Sequence, residues 1–347
     1  MKKILVCIIT ILSLSFPVSA QTLEPPEPPS NVEHLLSEDD LDFTESIWYV
    51  IRTAIEKVSP DITQAIRICM SLIGAVLLVS LFLSFQSKAK PMSELIMTVA
   101  VATILLSGTN ALIHEAAQTV TRLSDYGKLF IPVMTAALAS QGGVTSAGAI
   151  YTATAMFDTV ISALVQWILI PMVYVYLALS IANSAIGEEI LKNLRDFLKW
   201  AIGWSMKTLL YIFTGYVTIT GVISGVTDMT AMKATKLTIS GMVPVVGGIL
   251  SEASEAVLVG AGAVKNTVGV AGLVTILAML IGPFLRIGIH YLLLKFTSAV
   301  TSMFADGKRT ELIQDFSTSM GFLLAMTGAV GIMLFISTVC MMRCMGG

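Results

Sequence analysis

The feature that most limits this chain is a succession of long apolar runs that leaves little material for a water-facing surface. Residues 68–85, 95–113, 200–222, 268–284, 287–304 and 320–342 are each predominantly apolar, and residues 144–183 add a further forty or so. About 20 such residues cross a bilayer as a helix. Hydrophobic residues make up 55% of the chain and charged residues 13%, against roughly 25% charged in soluble domains. A soluble fold of this length would lack the charge to cover its core. The runs therefore predict an all-α, polytopic integral membrane protein.

One stretch does not behave as a plain lipid-facing helix. Residues 241–266 carry Pro244, the Gly247–Gly248 pair, Glu252, Glu255 and Lys265–Asn266 within apolar sequence. Ionisable groups at membrane depth cost a few kcal/mol each and face protein or water. Backbone broken by proline and glycine survives there only when buried in protein or lining a wet cavity. A second stretch of this kind, residues 129–143, holds Pro132 and ends in Gln141–Gly142–Gly143. Both read as broken or re-entrant segments shielded from lipid.

The amino terminus has a different character. Residues 1–20 have the form of a secretory signal, with Lys2 and Lys3, an apolar run and the small residues Val18–Ser19–Ala20. Residues 21–66 form an exported segment with a proline-rich tether at Pro25, Pro26, Pro28 and Pro29. It carries ten acids against Arg52 and Lys57. Within it, Ile47, Ile51, Ala54, Ile55 and Val58 recur at helical spacing. That helix either binds a partner, lies at the membrane surface or caps the first span. Residues 67–347 then form the polytopic membrane domain.

Basic residues gather in three clusters: Lys88/Lys90, Lys192/Arg195/Lys199 and Lys308/Arg309. Positive loops stay cytoplasmic, so each block between clusters crosses an even number of times, and four passages per block fit the runs. An offset of 112 residues superposes Pro132 on Pro244 and Pro171 on Pro283. This register points to an internal repeat, parallel if crossings per block are even and inverted if odd.

The candidate chemistry is confined to polar groups inside the apolar runs. Glu252 and Glu255 share a helix face, either as a cation or proton site or passage lining, or as first-turn acids favoured by the helix dipole. Asp158 stands alone in its run and needs a polar partner or a wet cavity. Lys265–Asn266 either reach a Glu or a carbonyl, or snorkel to the interface. The candidate passage and gating residues are thus Pro132, Gly142, Gly143, Asp158, Pro244, Gly247, Gly248, Glu252, Glu255, Lys265 and Asn266. His34, His114 and His290 have no metal-ligand spacing, and Cys69, Cys340 and Cys344 are odd in number. No nucleophile–base set, phosphate loop or redox cofactor box is present, so neither an enzyme nor a cofactor is expected. A net charge of −2 without a basic tract gives no support for nucleic acid binding.

Three segments carry a family resemblance: Ala139–Ser140–Gln141–Gly142–Gly143, the approach from Thr235–Lys236 to Pro244–Val245, and Val264–Lys265–Asn266–Thr267–Val268–Gly269. With the exported leader and acidic segment, the chain resembles the stage III sporulation protein AE family of endospore-forming bacteria over roughly residues 95–340. The resemblance implies a multi-pass component of the secretion-like complex joining mother cell and forespore. It would sit in the mother-cell-derived outer forespore membrane beside other membrane and exported subunits, with membrane lipid and further copies of itself as additional contacts. The family has no defined catalytic residues to carry over. The alternative is an ion-coupled secondary transporter whose coupling ion meets Asp158, Glu252 or Glu255, since paired broken segments are a transporter signature.

Overall fold

The computed structural model describes residues 43–85, 90–140, 144–223, 267–304 and 307–345. No strand occurs among the described residues. The elements are α1 (Phe43–Phe85), α2 (Lys90–Ser140), α3 (Val144–Leu164), a π-turn (Val165–Leu169), α4 (Ile170–Ile186), α5 (Glu189–Ile223), α6 (Thr267–Thr301) and α7 (Gly307–Met345). Among the described residues, five stretches are long and apolar enough to cross a membrane: Ser46–Leu81, Thr98–Ala136, Thr154–Ile186, Gly269–Thr301 and Gly307–Met342. The protein is an all-α, polytopic membrane protein.

Several helices run longer than the sequence predicts. Pro132 lies inside α2, so residues 129–140 continue the second helix and do not form a separate dip. A proline removes one backbone hydrogen bond, and neighbouring helices in a membrane bundle offset that loss without ending the helix. Residues 144–186 likewise make one passage and not two, because a π-turn stands just ahead of Pro171. Its one extra residue accommodates a ring that an unbroken α-helix would clash with. The first block between basic clusters therefore holds two long passages where four were expected. The parity of the topology argument is unchanged. In α1 the helix carries through Pro60 and across residue 66, so the expected boundary between exported segment and membrane domain is not marked by a break in the helix.

Side-chain pairings fix the directions of the helices. Asp61 meets Arg286, and Ile68 and Cys69 share a cavity with His290 and Leu294, so α1 and α6 run parallel. Glu115 meets Arg286 while Leu105 lies near Leu294, so α2 runs antiparallel to both. Ser317 bonds to the carbonyl of Tyr291, and Gly331 faces Leu280, which makes α7 antiparallel to α6. Tyr176 meets Asp315 and Ser184 meets Lys308, so α4 runs opposite to α7. Arg195 meets Asp315 near the start of α5, and Phe213 stacks on Phe157 further along it. The helices thus alternate up and down, with the α1–α2, α4–α5 and α6–α7 connections at one end, here the Lys308 end. Lys192, Arg195, Lys308 and Arg309 gather there.

The offset of 112 residues places α3 and α4 on α6, and the start of α5 close to the start of α7. Superposed helices point the same way. At that offset the helix directions agree with the parallel alternative and not with the inverted one.

α7 occupies the middle of the bundle. All of its membrane-length window is buried, against 28% for α1. A helix apolar on every side belongs in such a position, and residues 320–339 present almost nothing else. Two of its buried hydroxyls bond to its own backbone: Thr327 Oγ1 donates to Leu323 O at 2.9 Å and Thr338 Oγ1 to Leu334 O at 2.9 Å. Close packing nearby depends on Gly272, where a Cβ would run into the ring of Phe130.

Candidate functional site: charged groups inside the bundle

Three groups of charged side chains lie within the bundle, and they differ in how completely their charges are matched. The first joins α4, α5 and α7 near the Lys308 end. The buried stripe of α5 runs through Ile202, Met206, Leu209 and Phe213, and Arg195 falls on the same face. Its side chain is only 4% exposed. Arg195 Nη1 donates to Asp315 Oδ2 at 3.0 Å, Nη2 meets Glu311 Oε1 at 2.7 Å, and Nε and Nη2 both reach Asp196 Oδ1. Tyr176 Oη donates to the other oxygen of Asp315 at 2.7 Å. Burial works against the guanidinium's charge, but the hydrogen bonds to Glu311 and Asp196 and the field of Asp315 outweigh it and hold its pKa above the ordinary value. The loop beside this network turns at Gly187, whose φ of 78° is left-handed and whose amide donates to Asn183 O. The left-handed backbone favours glycine there, and Lys308 Nζ, the mobile end of its side chain, occupies the space where a Cβ would project.

The second group joins α1, α2 and α6. Arg286 Nη2 donates to Asp61 Oδ1 at 2.7 Å and Nη1 to Glu115 Oε2 at 3.2 Å. His290, one turn on, bonds to the Arg286 carbonyl through Nδ1. Arg286 is 38% exposed, so solvent or a neighbour screens this pair far more than the first. Beyond Glu115, the outer face of α2 carries His114, Gln118, Arg122, Asp125 and Lys128, all exposed. That row lies past the apolar run at residues 95–113 and continues α2 as a polar helix.

The third group is Asp158 on α3. Its Oδ2 accepts a hydrogen bond from Ser124 Oγ on α2 at 3.2 Å. No described basic group lies within ion-pair distance of it. Lys128, one turn beyond Ser124, is paired with Asp125 at 2.9 Å on the exposed face of α2.

The model of the family Stage III sporulation protein AE matches residues 29–345. The chain belongs to this family. One relative, stage III sporulation protein AE of Bacillus subtilis (strain 168), is 22% identical over 252 residues, which are 73% of this chain and 63% of that protein. The chain thus covers less than two thirds of that relative's length. No solved structure matches it. This is a sporulation protein family, not a known enzyme family.

Of the residues predicted for a passage in this member of the family, Asp158 and Pro132 are described, and they stand apart in role. Asp158 is a half-buried carboxylate at a helix–helix contact, whereas Pro132 is a half-buried position within α2 that takes part in no described polar contact. Gly142, Gly143, Pro244, Gly247, Gly248, Glu252, Glu255, Lys265 and Asn266 lie outside the described residues. Asp61, counted in the exported segment, is the ion-pair partner of Arg286. The Arg195–Asp315–Tyr176 network was not foreseen, since Arg195 reads as a topology marker in the sequence. The signal was present in the phase of α5: Arg195 sits seven residues before Ile202 on the one apolar stripe of an otherwise charged segment. Glu311 and Asp315, four apart, likewise share a face of α7.

Proposed function

We propose that this chain is a non-enzymatic, multi-pass subunit of the channel or secretion-like complex that connects mother cell and forespore during sporulation. It sits in the mother-cell-derived outer forespore membrane with its amino-terminal segment extracytoplasmic. The Lys308 end, where Lys192, Arg195, Lys308 and Arg309 gather, faces the cytoplasm by the rule for basic loops. Its partners are other membrane and exported subunits of the same complex, lipid and further copies of itself.

Family membership supports the sporulation context. The observation that carries the rest is the burial of α7. The axis of the described bundle is filled with side chains, so the chain on its own offers no route through its centre. A passage served by such a subunit runs between subunits, with this bundle as part of its wall. The exposed apolar surface of α5, with Phe197, Trp200 and Trp204 in a stacked row, and that of α1 provide contact area for lipid and neighbours.

Photo-cross-linking from exposed positions on α1 and α5 in sporulating cells tests this reading. Covalent capture of other envelope proteins made at the same stage is expected. Recovery of the free monomer from every position overturns it. In liposomes the isolated protein is expected to conduct no ions, and solute uptake driven by an ion gradient would favour the transporter alternative instead.

A further inference from the structure

We propose that Asp158 anchors a binding site for one small monovalent cation, formed where α2, α3 and α7 meet. This inference does not depend on the proposed assembly. Each other described acid inside the bundle has a basic partner: Asp61 and Glu115 have Arg286, and Glu311 and Asp315 have Arg195. Asp158 has none. An unmatched carboxylate inside a membrane bundle is costly, and its surroundings are not those of a site that merely tolerates it. The carboxylate borders a small cavity whose wall also includes Thr154 and Ser337, with Phe157, Met333 and Leu334 as apolar lining. Ser124 lies on the α2 side at 3.2 Å. The site thus gathers a carboxylate and three hydroxyl-bearing residues, Ser124, Thr154 and Ser337, around an otherwise apolar cavity, residue types suited to a hard cation.

Charge selects the valence. One carboxylate balances one positive charge, while a divalent ion would leave an uncompensated charge among apolar side chains. The other charged groups near it, Asp125 and Lys128 on α2, neutralise each other on the outer face. The cavity residues of α7 are Val330, Met333, Leu334 and Ser337, and none of them titrates. Space is provided by Gly127. A Cβ there would lie 3.0 Å from Leu334 Cδ1, a tight approach, and in ordinary contact with Asp158 Oδ2 at 3.5 Å. Asp158 stands four residues into its candidate span, away from the Lys308 end. An ion reaches it from the opposite side of the bundle.

The test is thermal unfolding of the full-length protein in detergent, followed by tryptophan fluorescence. Sodium chloride replaces choline chloride at constant ionic strength, at pH 8 and again at pH 5.5. For the unmodified protein at pH 8, sodium is expected to raise the midpoint saturably, by about 4 °C at a hundredfold excess over its dissociation constant. Asp158→Asn abolishes the sodium shift. Ser337→Ala, which keeps the carboxylate, moves the half-saturating sodium concentration severalfold upward and supplies the same test should the Asn variant not fold. A midpoint indifferent to sodium, or a sodium shift that survives both substitutions, overturns the site. Stabilisation at pH 5.5 with no response to sodium at pH 8 also overturns it, since the carboxylate would then take only a proton.

Discussion

Asp315 and Asp158 are both aspartates in helices of the same membrane bundle, yet the chain treats them in opposite ways. Asp315 is held by Arg195 on one oxygen and Tyr176 on the other, each from a different helix. Asp158 receives one hydroxyl from Ser124 and otherwise faces a small cavity. The first arrangement is closed: Asp315 has a cation within ion-pair distance, each of its oxygens accepts a hydrogen bond, and three helices are tied together. The second leaves a charge that the described residues do not balance. A buried ion pair is not itself a large source of stability, but removing one partner is severe because the other is left uncompensated. The difference therefore locates structure in the first site and ligand chemistry in the second.

Four substitutions would break or sharpen that contrast. Arg195→Ala strands Asp315 in the core, and a loss of about 3–5 kcal/mol is expected. Thermal inactivation in detergent should show the variant unfolded or aggregated at temperatures the parent survives. Tyr176→Phe keeps the ring but leaves one oxygen of Asp315 without its donor, a loss of about 1–3 kcal/mol in the same assay. At Arg286, solvent screening reduces the effect: Arg286→Gln should cost under about 1 kcal/mol, and a larger drop would show that this pair too is closed off from water or ions. The smallest change is expected for Asp158→Asn without sodium, where the amide can still accept from Ser124. Its midpoint should match or exceed that of the parent, and a fall comparable to Arg195→Ala would erase the distinction between the two aspartates.

The sequence conveyed the class of this fold well, because a charge content this low and runs this long admit few alternatives. It conveyed the breaks poorly. Pro132 and Pro171 look like interruptions when read locally, but a proline ends a helix only when nothing else holds the helix together. Here tertiary packing does so, with a π-turn absorbing the second ring. Asp158 was legible because it has no charged neighbour in sequence. Asp315 was not, because its partners Arg195 and Tyr176 lie 120 and 139 residues away, and no local pattern connects them. Arg286 and Asp61 were concealed in the same way, having been assigned to different parts of the chain.

The axis of the described bundle is filled with side chains, and the function proposed above treats this protein as part of a wall and not as a pore. The direct measurement is thiol labelling along α7 in sporulating cells, in a background without native cysteines. Cysteines placed at Ser319 and Thr327, both fully buried, are compared with one at the exposed Met303. A small membrane-permeant but water-requiring thiol reagent is expected to label the Met303 position and leave both α7 positions unmodified. Modification along one face of α7 would mean that water runs through the centre of the bundle, and would contradict the account.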